Sequence, residues 1–275
     1  MRKKAWFGSK FWLGVLVPIV VLTMWQGAGE MGWLKEKILP TPYAVVLKWG
    51  HYAAPTTPYY PDTESYLTWA FSGELPHDLL ASTERVLIGF LIGASLALPL
   101  GLLMGASKVV NQVFNPVVQV FRPIPPIAFI PLSILWFGLG NPPAYFLIAL
   151  GAFFPILMNT IAGVRDVDSI YLRAARNLGA KGFPLFWRVI LPAAMPQILT
   201  GFRVGMGVAF ICVIVAEMIA VNSGLGYRIL EAREFVWSDK ILAGMFTIGL
   251  LGLAIDTAMD AINRRVLRWQ RTGDT

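Results

Sequence analysis

Apolar residues along this chain fall into long blocks, and the blocks predict its elements. Six stretches, at 12–28, 86–106, 116–139, 143–164, 198–220 and 241–262, are mostly apolar. Each runs for about 20 residues, the length an α-helix needs to cross the hydrocarbon core of a bilayer. A membrane β-barrel would show segments of about ten residues with alternating polarity, and these blocks do not alternate. Lipid offers no partner to backbone N–H and C=O groups, so each span must satisfy its own. The expectation is an all-α membrane protein built as a bundle of six transmembrane helices. Residues 1–28 are its N-terminal tail and first helix. The opening Met1-Arg2-Lys3-Lys4 resembles the start of a signal peptide. However, the apolar part outruns the usual limit of about 15 residues, and no small-x-small site before Glu30 makes a convincing cleavage site, so the segment is expected to stay as the first helix.

Composition agrees. Of 275 residues, 56% are hydrophobic and 14% charged, against roughly a quarter charged in soluble domains. That excludes a freely soluble enzyme, a disordered chain and a disulfide scaffold. The net charge of +7 therefore bears on sidedness and membrane lipid, with no nucleic-acid partner expected. With the N-terminus inside, the inner segments hold Arg2, Lys3, Lys4, Lys10, Lys108, Arg165, Arg173, Arg176, Lys181, Arg188, Arg264, Arg265, Arg268 and Arg271. The outer segments hold half as many: Lys35, Lys37, Lys48, Arg85, Arg228, Arg233 and Lys240. Basic residues favour the cytoplasmic side, so both termini are expected there. Cys212 has no cysteine to pair with, and His51 and His77 are too few and too far apart for a metal site. The spans hold no Ser–His, paired-carboxylate or metal-ligand arrangement, so no catalytic residue is expected.

Three connections carry information. The outer segment 29–85 holds Pro40, Pro42, Pro55, Pro58, Pro61 and Pro76 among Tyr52, Tyr59, Tyr60, Tyr66 and Trp69. Such prolines interrupt regular structure, while the aromatics suit a membrane interface. Leu75–Arg85 could form a short interfacial helix before the core, residues 86–265, which a tail at 266–275 follows. The outer loop 221–240 is shorter and mixed in charge. The inner connection 165–197 reads as helix–turn–helix. Asp166 and Asp168 favour a helix start, Ile170–Leu178 is helical in composition, and Gly179 suits a left-handed stop. Phe183–Ile190 reads as a second short helix, and Leu191-Pro192 opens the next span. Such an element between two spans looks like a docking site.

Within the spans, charge and proline mark candidates for a path. Arg122 stands beside Pro123, Pro125 and Pro126, with Pro131 beyond, so this span is expected to be broken. A guanidinium there suits an anion, and equally it can snorkel to the headgroups. Glu217 is a candidate because intramembrane carboxylates are costly; it either contacts substrate or anchors the loop that follows. Arg203 is too far along the helix to pair with Glu217. Asp260 and Arg264, four apart, suit a helix-end ion pair, and Asp256 adjoins them. Gly89/Gly93, Gly101/Gly105 and Gly201/Gly205 allow close helix crossings.

The inner connection resembles a known motif. Arg173-Ala174-Ala175-Arg176-Asn177-Leu178-Gly179, nine residues, then Val189-Ile190-Leu191-Pro192 is similar to the EAA loop of bacterial ABC-importer permeases, with Arg173 where that family has Glu. Phe121-Arg122-Pro123-Ile124-Pro125-Pro126, Leu135-Trp136-Phe137-Gly138-Leu139-Gly140 and Ala216-Glu217-Met218 look like segments of its nitrate/sulfonate/taurine/bicarbonate branch. The second of these leans toward the taurine and alkanesulfonate members. The resemblance covers the chain from about Leu79 to Arg268. It implies a type I ABC-importer permease in a bacterial inner membrane, working as two copies that import a small anion handed over by a periplasmic binding protein. It also implies a coupling-helix loop in which Arg173, Ala174, Ala175, Arg176, Gly179, Ala180, Lys181, Leu191 and Pro192 meet two ATP-binding subunits. ATP and Mg would belong to those subunits. This chain, which lacks a G-x-x-x-x-G-K-[ST] phosphate loop, needs no cofactor. A channel or secondary transporter working without ATP is the alternative. It would need buried polar groups to couple an ion, and beyond Arg122, Arg203, Glu217 and Asp256 there are few.

Overall fold

A computed structural model describes residues 6–55, 65, 66, 69 and 71–268, with side chains from residue 16 onward. The described elements are helical: α1 (Trp6–Glu30), α2 (Pro42–Ala53), α3 (Glu74–Ala106), α4 (Lys108–Phe121), α5 (Ile130–Phe137), α6 (Asn141–Arg165), α7 (Ser169–Asn177), α8 (Gly182–Ala220), α9 (Leu225–Glu234) and α10 (Ser238–Val266). No strand occurs among the described residues. Four of these helices, α3, α6, α8 and α10, are long and apolar enough to cross a membrane. A bent pair, α4 followed by Pro126–Phe137 with 82° between its arms, is long and apolar enough only when its two arms are taken together. The first expected span lies in α1, whose 25 residues reach about 37 Å. It shows Leu16, Val17, Val21 and Met24 on its surface.

Two compact units divide the chain: Met1–Asp78 with Arg228–Thr247, and Leu79–Tyr227 with Ile248–Thr275. In the second unit, α6 is the central helix, with Leu147, Ile148, Ala152, Ile156 and Leu157 fully buried. The paired glycines are what let its neighbours approach. A Cβ on Gly93 would press into the Ala149 carbonyl, one on Gly101 would lie 2.7 Å from Thr160, and one on Gly201 2.7 Å from Asn159. These stripes therefore serve close packing of α3 and α8 against α6 within one chain.

The first unit holds a buried polar network of its own. The Tyr52 hydroxyl donates to Asp78 (2.7 Å), as does Arg228 Nε (2.8 Å), and Lys240 donates to Glu74 (3.0 Å). Burial, then the charge and hydrogen bond of Asp78, push the Tyr52 hydroxyl far above the ordinary tyrosine range. Burial pulls the Arg228 guanidinium down, but its bonds to Asp78 and Glu231 and the charge of Glu74 more than restore it, leaving it above its ordinary value.

The outer segment is more regular than its prolines suggest. Pro42 occupies the first turn of α2, where a missing N–H costs nothing, and the Thr41 side chain accepts from Ala44 N–H to cap it. Residues 75–85 form no separate helix: they are opening turns of the 33-residue α3. Nothing between Glu74 and the span breaks the backbone, because Pro76 sits in the first turn. Pro58, Pro61, Tyr59, Tyr60, Arg2, Lys3, Lys4, Arg271 and most of the 266–275 tail lie outside the described residues, as does the side chain of Lys10.

Candidate functional site

Three places bring the candidate residues together. The first is the inner connection. Asp168 caps α7, its side chain accepting from Ile170 N–H at 2.8 Å. Asp166 instead sits at the end of α6, its N–H on the Ala162 carbonyl. Gly179 ends α7 with φ at +87°. Its N–H donates to the Arg176 carbonyl, and Ala180 N–H reaches back to the Ala175 carbonyl at 2.9 Å. Those two bonds make a Schellman cap, which calls for glycine at the left-handed position. The spacing of Ala175, Gly179 and Ala180 thus has a local structural meaning.

Beyond the cap the backbone departs from the expected second short helix. Gly182–Leu185 runs through a π turn, Phe186–Ile190, straight into Leu191, and the whole forms the 39-residue α8. Leu191 N–H bonds the Phe186 carbonyl, five residues back. Pro192 follows, lacking an N–H and crowding the preceding turn, and the wider turn relieves that crowding. The helix–turn–helix surface is apolar as well as basic. Ile170, Tyr171, Leu178 (88% exposed), Phe183 and Trp187 all stand out from it, the last two stacked at 6.0 Å. Arg173, Arg176, Lys181 and Arg188 surround them, all exposed. Arg173 makes no ion pair among the described residues.

The second place is the α4–α5 break. Arg122 ends α4, exposed, its N–H on the Val118 carbonyl. Pro123 and Pro125 lie in the bend, and Pro126 opens the 3₁₀ turn Pro126–Phe129 that leads into α5. Arg122, Ile124 and Pro126 line a cavity of about 350 Å³ with Leu150, Gly151, Phe154, Pro155, Met158 and Asn159 of α6 and Val204 and Val208 of α8. The α6 residues that line it, 150–159, lie in the middle of that helix.

The third place surrounds Glu217, which is fully buried. Ser82 donates to it at 2.8 Å, Arg85 Nη1 at 2.8 Å and Gly226 N–H at 3.0 Å. Arg85 also donates to Asn141, to the Ser223 carbonyl and to Ser223 Oγ, while Leu225 N–H donates to Ser82. Gly224, at φ +105°, leaves room for the carboxylate that any side chain there would displace. The cluster clamps the turn after α8 onto α3 and α6. Pro123, Pro125, Pro126 and Arg122 are not part of it. In the sequence Arg85 reads as an outer-segment charge, and nothing there by itself singles out Ser82, Asn141 or Ser223. The available signal was that Ser82 and Arg85, three apart, share one helix face.

One further pair escaped the sequence. Arg203 grips Asp256 with two bonds, Nε at 2.7 Å and Nη2 at 2.6 Å, and lies 3.9 Å from Asp260. It joins α8 to α10. Arg264 bonds Asp260 on its own helix, as four-residue spacing predicts.

Such a fold, with a capped loop between two long apolar helices, is that of a multi-pass membrane protein. Residues 97–271 match the family model described as binding-protein-dependent transport system inner membrane component. The chain belongs to that family, and is a multi-pass permease component of an ABC importer. It is 37% identical over 273 residues to a Bacillus subtilis protein named as the aliphatic sulfonates transport permease protein SsuC, covering 99% of this chain and 93% of that one. It is 34% identical over 250 residues to the taurine transport system permease protein TauC of Escherichia coli, covering 91% and 86%. Its fold matches the permease of the MetNI methionine ABC transporter in an inward-facing conformation. The TM-score is 0.60 at 19% identity, covering 68% of this chain and 96% of that one. The fold is therefore that of a type I importer permease.

Proposed function

We propose that this chain is the membrane subunit of an ATP-driven importer for a small anion, with sulfonates favoured over nitrate and bicarbonate. Two copies form the path in a bacterial inner membrane, with both termini cytoplasmic, and a periplasmic binding protein delivers the anion. Two ATP-binding subunits dock on residues 165–197, holding ATP and Mg, and their closure rocks the bundle between inward- and outward-facing states. In this reading Arg173, Ala174, Ala175, Arg176, Gly179, Ala180, Lys181, Leu191 and Pro192 form or support the docking element. Arg122, Pro123, Pro125 and Pro126 border the path, and Glu217 holds its outer end together. The single observation that carries the proposal is the Schellman-capped α7, which presents exposed apolar and basic side chains between two spans. The names of the sulfonate and taurine relatives support the substrate class.

The test is to tag this chain, purify it gently from its own membrane and weigh what co-elutes. An ATP-binding subunit at one copy per copy of this chain is the expected result. A homo-oligomer free of any ATPase, reproduced across mild detergents, would overturn the proposal in favour of a channel or secondary transporter.

A further inference from the structure

We propose that the cavity at the α4–α5 break is a way-station for the transported anion. Its lining selects an anionic head on a plain hydrocarbon tail, an alkanesulfonate, over an inorganic anion or a zwitterion. This rests on the importer reading and adds to it the residues that touch substrate and the selectivity they impose.

Charge is the first argument. Arg85, Arg203, Arg228 and Arg264 are each within 3 Å of a carboxylate. Arg122, which lines the cavity, has no such partner among the described residues. A guanidinium not engaged by a carboxylate holds its fork of donors for a ligand, and a sulfonate's oxygens accept two of them side by side.

The rest of the wall sets the class. About 350 Å³ is room for a small organic ion and far more than a bare nitrate fills. Apart from Arg122, the one polar side chain lining it is Asn159, whose carbonyl accepts from Gln197 and whose amide donates to the Pro155 carbonyl. Phe154, Met158, Val204 and Val208 offer an alkyl tail an apolar bed. An ammonium at the end of that tail would find no carboxylate on the wall, and the Pro155 carbonyl is already engaged by Asn159. Burying it there would be costly.

The experiment measures uptake of labelled butanesulfonate, taurine and nitrate by cells carrying the whole transporter. This chain is supplied as wild type, R122Q, R122K or N159D, at matched amounts in the membrane. ATPase stimulation of the purified complex by loaded binding protein is read in parallel. R122Q is expected to lower butanesulfonate uptake by roughly tenfold or more, the worth of a charge-assisted bond. R122K should recover part of it, and both variants should keep ATPase stimulation. N159D puts a carboxylate on the wall and is expected to raise taurine uptake relative to butanesulfonate. Full butanesulfonate uptake by R122Q, or its loss together with ATPase stimulation, would overturn the way-station. An unchanged taurine ratio in N159D, or a wild type that imports nitrate but no sulfonate, would overturn the selectivity while leaving the importer reading intact. A wild type with no ATP-dependent uptake of any anion would defeat the importer reading and this one with it.

Discussion

At the scale of single residues, the two intramembrane charges first noticed, Arg122 and Glu217, have opposite surroundings. Glu217 is enclosed and bonded by Ser82, Arg85 and Gly226, whereas Arg122 is exposed and has no ion-pair partner among the described residues. A buried ion pair is weak evidence for stability in itself, but removing one partner strands the other charge, at about 3–5 kcal/mol. Glu217→Gln keeps an oxygen for Ser82 and strands Arg85. It should therefore lower thermal stability in detergent by about that amount, and adding Arg85→Gln should recover part of the loss. An unchanged melting temperature in Glu217→Gln would mean that the clamp does not hold the turn after α8. The sequence marked Glu217 because a carboxylate in an apolar block is conspicuous. It concealed the partner because Arg85 lies 132 positions away, and no local pattern connects the two. Arg203 and Asp256, 53 positions apart, were hidden for the same reason.

At the scale of elements, legibility follows range. The cap at Gly179 was readable because a Schellman motif is written within six residues, and so was the break at Pro123–Pro126, where proline withdraws backbone donors locally. The continuity of α3 through residues 75–85, and of α8 through its π turn, was not, because Pro76 and Pro192 read as breaks in sequence while the backbone takes Pro76 into a first turn and Pro192 after a wider one. The same cap yields a test of the docking element. A Cβ at Gly179 would meet nothing within 4 Å, so Gly179→Asp adds its carboxylate to open space. Aspartate is among the residues that tolerate φ above zero, so the strain stays near 1 kcal/mol. We expect this variant to reach the membrane at normal levels and to lose ATP-coupled uptake, as read by substrate accumulation and by co-elution of the ATPase. Retained docking with normal uptake would show that α7 is not where the ATPase sits. Leu178→Asp, which alters the most exposed apolar side chain of that surface without touching the left-handed position, should weaken co-elution in the same direction.

At the scale of the whole molecule, coupling to ATP requires that the inner connection face the side where ATP is made. Fourteen basic residues against seven favour that orientation, but an excess of this kind is a statistical tendency of membrane insertion. The chain offers a direct check because Cys212, its one cysteine, is buried. A cysteine placed at position 33 or 178, where Trp33 is 77% exposed and Leu178 88%, would be the main site open to a membrane-impermeant maleimide. In intact cells with a permeabilised outer membrane, Trp33→Cys should label and Leu178→Cys should not. Both should label once the inner membrane is opened. The reverse pattern would place α7 outside, away from any ATPase, and the capped helix would then need a partner on the outer face. That outcome would leave the fold and family unchanged while removing the ATP-coupled mechanism, because α7 and its basic and apolar side chains would face away from any ATP-binding subunit.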